Sequence, residues 1–190
     1  MEVSNVSTAL VKELRERTGA GVMDCKRALE EAGGNVDRAI ELLRQQGLSK
    51  AEKKAGRDAR QGLIESYVHQ GRIGVLVELN CETDFVARTE DFKTLAHELA
   101  LQVAATAPKF ISLDDVSDAE RAAGIKDFGS EKAFNEAAVL LAQPALRQPN
   151  RTVEELVRDA IAKIGENIVV RRFVRFELGE TGSDQSGETA

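Results

Sequence analysis

The stretch GLIESYVHQGRIGVLVELN, residues 62 to 80, decides the fold. Its side chains follow a period of two, and Ile73, Val75, Val77 and Leu79 fall on one face of an extended chain. Between the two runs stands His69-Gln70-Gly71, a short segment of turn chemistry. Gly62–Val68 and Arg72–Asn80 are therefore expected to pair as a hairpin. A strand with one apolar face must be covered, and the residues that follow supply the cover. Phe92, Leu95, Ala96, Leu99 and Val103 recur at helical spacing up to the stop at Pro108, and Glu90 and Asp91 suit the positive end of that helix. Ser112 to Ala142 reads as helix in pieces, broken near Gly124 and Gly129. Thr152 and Glu155 have the spacing of a capping box for a last helix bearing Val153, Leu156, Ala160, Ile161 and Ile164. Ile168 to Leu178 is a third strand with apolar residues on both sides. The expected body, 62–179, is α+β: a three-stranded antiparallel sheet covered on one face by helices. Its other face invites a second copy of the chain. Residues 180–190 are Gly, Ser, Thr and acid, and are expected to be a disordered tail.

Upstream of the hairpin the periodicity is helical. Ala9, Leu10, Val11 and Leu14 form a stripe that ends at Thr18-Gly19-Ala20-Gly21. A second helix carries Val22, Cys25, Ala28 and Leu29 and stops at Gly33-Gly34. Asn35 caps a third, with Val36, Ala39, Ile40 and Leu43, which Gly47 closes. Residues 1–47 are thus a small three-helix module. Residues 48–61 interleave Lys50, Lys53, Lys54, Arg57 and Arg60 with alanines and read as a basic, partly helical linker.

Of 190 residues, 42% are hydrophobic and 31% charged, the balance of a globular chain. The net charge of -6 opposes a main task of neutralising phosphates, and 4% aromatics with no Trp argue against a base-stacking platform. Cys25 and Cys81 are too few for a thiolate metal site. MEVSNVSTAL has neither the basic start of a secretory leader nor the length of an apolar span, so a cytoplasmic setting without membrane insertion is expected.

For thiol or histidine catalysis Cys25, Cys81, His69 and His97 are the only candidates, and nothing in their spacing pairs a thiol with an imidazole. Thr18-Gly19-Ala20-Gly21 opens a helix, yet no strand precedes it and no Lys-Ser/Thr follows, so it fails the phosphate-loop patterns. The basic linker is more readily a solvated helix than an RNA contact. What stands out is Asn80-Cys81-Glu82-Thr83-Asp84-Phe85-Val86-Ala87-Arg88, where an acid adjoins a Phe in a loop at a strand end. Either Phe85 tucks under the following helix, or the pair presents a charge and an apolar wedge together.

Three runs, LVKELRERTGAGVMDCKRAL (10–29), NCETDFVAR (80–88) and KIGENIVVRRFVRFELGE (163–180), resemble the hallmarks of the bacterial elongation factor Ts family. That resemblance implies a guanine-nucleotide exchange factor for elongation factor Tu, with no catalytic residues, metal or cofactor of its own. It implies that 1–47 is a ubiquitin-associated-like module docking through Thr18, Gly19, Ala20, Gly21, Val22, Met23 and Lys26. It further implies that Thr83, Asp84, Phe85 and Val86 dislodge Mg²⁺ from the partner. The single strand-and-helix subdomain is similar to short family members that pair as homodimers, which implies a 2:2 complex with the partner and no direct nucleic-acid contact. Ala145 stands where the family commonly has an aromatic, and the helical stretch before Leu140 looks shortened. Without the resemblance, a plain interaction adaptor built on the three-helix module remains the alternative.

Overall fold

A computed structural model describes residues 6–180. The expected tail therefore lies, from residue 181 on, outside the described residues. Residues up to Arg57 together with Arg158–Asn167 form one compact unit, and Asp58–Val157 with Ile168 onward form a second.

In the first unit, α1 (Thr8–Thr18), α2 (Val22–Glu31) and α3 (Val36–Glu52) pack around Leu14, Cys25, Ala28, Leu29, Ala32 and Ala39. Local chemistry sets the ends. The Ser7 hydroxyl accepts from the Leu10 amide at 3.2 Å, and the Asn35 side chain accepts from the Arg38 amide at 2.9 Å. Contrary to the sequence reading, α3 does not close at Gly47 but runs on to Glu52. Gly47 is buried, and a Cβ there would lie 3.5 Å from the Ala162 methyl, so this glycine serves close packing rather than a helix end.

The second unit is built on β1 (Gln61–His69), β2 (Ile73–Cys81) and a closing strand, β5 (Ile168–Glu177), in the order β1-β2-β5 with both pairings antiparallel. Gln70 and Gly71 both have positive φ, 50° and 67°, and the Arg72 amide donates to the His69 carbonyl at 2.9 Å. These are the left-handed conformations that a primed hairpin turn needs. Val75, Val77, Leu79 and Cys81 face inward and are buried, as their period of two dictates. Over them lies α5 (Glu90–Thr106), burying Phe92, Leu95, Ala96, Leu99, Ala100 and Val103. Each such large apolar side chain contributes about 1.5–3 kcal/mol. The sheet is thus covered by helix on one face, as the sequence predicts.

Between α5 and β5 the chain forms α6 (Asp118–Phe128) and α7 (Glu131–Ala138). Gly129, at φ 80°, breaks the helices where expected, but α6 runs straight through Gly124. A Cβ at Gly124 would overlap the Phe134 ring, so its role is to let α7 approach. A small hairpin the sequence reading did not foresee follows: β3 (Pro144–Ala145) with β4 (Gln148–Thr152). Ala145 is buried in it. A polar network pins the hairpin to α5. Buried Gln102 donates to Gln143 Oε1 at 3.0 Å and to the Pro144 carbonyl at 3.2 Å, while its own Oε1 accepts from the Leu146 amide at 3.0 Å. The predicted capping box then starts α8 (Val153–Ile164). The Glu155 amide donates to the Thr152 hydroxyl at 3.2 Å, and the Thr152 amide donates to the Glu155 carboxylate at 3.1 Å.

Candidate functional site

The strand β2 delivers the chain to Thr83, and Asp84–Ala87 then form a single helical turn, α4. Four residues are too few for a helix to stand alone, so the turn depends on its anchors. At its start the Thr83 hydroxyl accepts from the Val86 amide at 3.4 Å. Beneath, Val86 and Ala87 are buried, and the Cys81 thiol, also buried, donates to the Thr83 carbonyl at 3.1 Å. With that side of the turn committed to the body, the opposite side faces outward. Phe85 is 78% exposed. This removes the reading in which Phe85 tucks under the following helix, because Val86 and Ala87 fill the space under the turn.

Asp84, next to it, is also exposed and pairs with Arg88 one turn on. An exposed pair of this kind is worth well under 1 kcal/mol, so it orients the carboxylate without locking it. Arg88 closes the run singled out in the sequence, whereas Thr89 lies just beyond it. The signals for both were present in the Asp-to-Arg spacing of four and in Thr89 ahead of Glu90-Asp91, the pattern of a helix cap.

The other candidate segment belongs to the first unit. Gly19, at φ 67°, ends α1 in the left-handed conformation, and its amide donates to the Arg15 carbonyl at 2.8 Å. Thr18 donates its hydroxyl to the Leu14 carbonyl at 2.7 Å and accepts from the Ala20 amide at 3.3 Å. The Cys25 thiol reaches the Ala20 carbonyl at 3.6 Å from below. The turn is thereby held rigid while Val22 and Met23 project outward, Met23 66% exposed. Lys26 is exposed beside them and pairs loosely with Glu30 at 3.8 Å. Asp24, on the other flank of the helix start, accepts from Lys50 at 2.9 Å and pairs with Arg27. The Lys50 hydrogen bond above all holds its carboxyl below the usual carboxylate range.

The four residues weighed for catalysis are committed elsewhere. Burial pushes the Cys25 thiol up, away from the reactive thiolate. His69 Nδ1 lies 2.9 Å from the Tyr67 hydroxyl, and His97 Nδ1 lies 2.9 Å from a Glu65 carboxylate oxygen. Among the described residues no group of three or more His, Cys, Asp or Glu is placed to hold a metal ion, and no helix is long and apolar enough to cross a membrane. Three cations of the basic stretch are engaged within the protein: Lys50 with Asp24, Lys54 with the Gly165 carbonyl, and Arg60 with Asp58.

Phe85 and Met23 are thus exposed apolar side chains, each on a braced turn and each near a charged side chain. The family model for Elongation factor TS matches residues 5–137 and 82–185. Elongation factor Ts of Carboxydothermus hydrogenoformans is 50% identical over 195 residues, covering 92% of this chain and 90% of the relative. That of Coprothermobacter proteolyticus is also 50% identical, covering 92% and 99%. That of Thermoanaerobacter pseudethanolicus is 48% identical over 203 residues, covering 96% and 100%. The chain belongs to the elongation factor Ts family, a family of translation elongation factors.

Proposed function

We propose that the chain is a guanine-nucleotide exchange factor for elongation factor Tu, working by binding alone, with no covalent chemistry and no cofactor. The observation that carries this is the exposure of Phe85 beside Asp84 on a turn anchored from below. Mg²⁺ demands near-ideal octahedral geometry and dehydrates reluctantly, so small displacements around it weaken nucleotide binding steeply. Phe85 is the wedge, and Asp84, once parted from Arg88, disturbs the hydrogen-bonded water around the metal. Thr83 and Val86 hold the turn in shape. Thr18, Gly19, Ala20, Gly21, Val22, Met23 and Lys26 dock the 1–47 module on the partner. Exchange then follows from reciprocity: whatever factor this chain takes off nucleotide affinity, nucleotide takes off the affinity for this chain. Incoming GTP thereby expels it.

The body, 62–179, serves as the dimerisation domain in the same reading, with 48–61 as linker. Support comes from the sheet face that α5 does not cover. Ile64, Val68, Leu76 and Phe176 are all exposed there, with Val174 between Leu76 and the strand edge. An apolar patch on three adjacent strands favours a second copy and a 2:2 complex. Engagement of Lys50, Lys54 and Arg60 within the chain supports a factor without direct nucleic-acid contact, and the cytoplasm is its setting in this reading.

The test is release of labelled GDP from elongation factor Tu with and without this chain. Acceleration supports exchange, and capture of the GTPase with an unchanged off-rate establishes the adaptor instead. Sedimentation at the monomer mass of 20.7 kDa at micromolar concentration overturns the dimer.

A further inference from the structure

Phe85 can push a partner apart only if the turn beneath it does not give way, and the structure shows how its far end is braced. The last carbonyls of a helix have no partner within it. In α4 the Val86 carbonyl accepts twice from Thr89, from its amide at 3.0 Å and from its hydroxyl at 2.8 Å. The same hydroxyl accepts from the Phe92 amide at 3.4 Å, as the N-cap of α5. One oxygen therefore closes the end of the exposed turn and opens the helix that buries Phe92, Leu95, Leu99 and Val103 against the sheet. Thr83 makes the corresponding bond at the front of the turn. The turn thus spans two threonine hydroxyls, and only the rear one continues into a core helix of 17 residues.

We infer that Thr89 is a positioning residue for exchange: its hydroxyl couples the Phe85 turn to α5, so that force on the Phe85 ring is borne by the core. Thr89 is half-buried. It acts through Phe85, and the inference rests on the wedge reading given above. The hydroxyl, not the bulk of the side chain, carries the role. Thr89→Val keeps the shape and removes both bonds, whereas Thr89→Ser keeps a donor and an acceptor in place.

Two measurements test this on the full chain. Amide hydrogen exchange, followed by NMR on the protein alone, reads the turn directly. In Thr89→Val the Ala87 and Arg88 amides, which donate to the Thr83 and Phe85 carbonyls, exchange about three- to ten-fold faster, the range one ordinary hydrogen bond spans. The Leu99 amide, deep in α5, is unchanged. GDP release, titrated with each variant, reads function. Thr89→Val lowers the maximal release rate by a similar factor at an unchanged half-saturating concentration, and Thr89→Ser restores the parental rate. Unaltered exchange at Ala87 and Arg88, or equal loss in the Ser and Val variants, overturns the inference. So does a loosened turn that releases GDP at the parental rate while Phe85→Ala does not. If Phe85→Ala also releases GDP at the parental rate, the wedge reading itself has failed, and that result is distinct from the other three.

Discussion

Phe85→Ala separates function from stability, and the structure sets both magnitudes. Fully burying a Phe contributes about 1.5–3 kcal/mol. With 78% of Phe85 exposed, about a fifth of that is at stake in the free protein, so folding stability falls by roughly 0.3–0.7 kcal/mol. For a 190-residue chain that is a shift of roughly one to three degrees in Tm. On the partner the account reverses. If the ring is fully buried there, its loss removes the remaining four-fifths of the same 1.5–3 kcal/mol from the complex that releases nucleotide, about 1.2–2.3 kcal/mol, and the rate of GDP release falls by roughly 7- to 50-fold. Urea denaturation reads the first quantity, and release of labelled GDP at saturating factor reads the second. A stability loss above about 2 kcal/mol means that Phe85 is a core residue after all. A parental release rate means that the ring does not act as a wedge. The reasoning survives only if both numbers fall where stated, because exposure is what links them.

Gln143→Leu removes the acceptor for Gln102 and Thr106 and the donor to the Ala137 carbonyl, in a side chain 1% exposed; stability falls by about 2–4 kcal/mol in urea unfolding, and a loss under about 0.5 refutes the network. Gly124→Ala drives a methyl into the Phe134 ring and costs about 1–3 kcal/mol, partly recovered by Phe134→Leu; an unchanged Tm contradicts the packing. The Asp24 carboxyl titrates lower when folded than when unfolded, so it adds stability above its unfolded pKa and loses it as pH falls through the folded value. Asp24→Asn therefore flattens the acid limb of stability against pH and leaves its shape near neutrality alone, and a parental acid limb excludes the Lys50 pairing.

How much of this was legible beforehand depends on the range of the interactions involved. The hairpin could be read because a period of two and a turn segment act within a few residues of one another. The same holds for Asn35 as a cap, for Thr152 with Glu155, and for the break at Gly129. Gly47 and Gly124 were misread as helix ends for the complementary reason. A glycine that stops a helix and one that admits a neighbouring side chain are identical in sequence, and the neighbours, Ala162 and Phe134, are ten residues or more away. The β3–β4 hairpin escaped notice because a two-residue strand carries no period. It is held by buried Gln102, which stands 42 residues before Pro144 in the chain.

The acid–aromatic segment shows the division most clearly. The sequence by itself determined that Thr83-Asp84-Phe85-Val86 follows the end of a strand, that an acid adjoins a Phe there, and that the segment resembles one family. Which side of that single turn faces solvent was decided only by tertiary structure. A four-residue helix has too little periodicity to define an apolar face. Orientation is left to what lies beneath it, and Val86 and Ala87, seated against the body, fill that space and leave Phe85 outside.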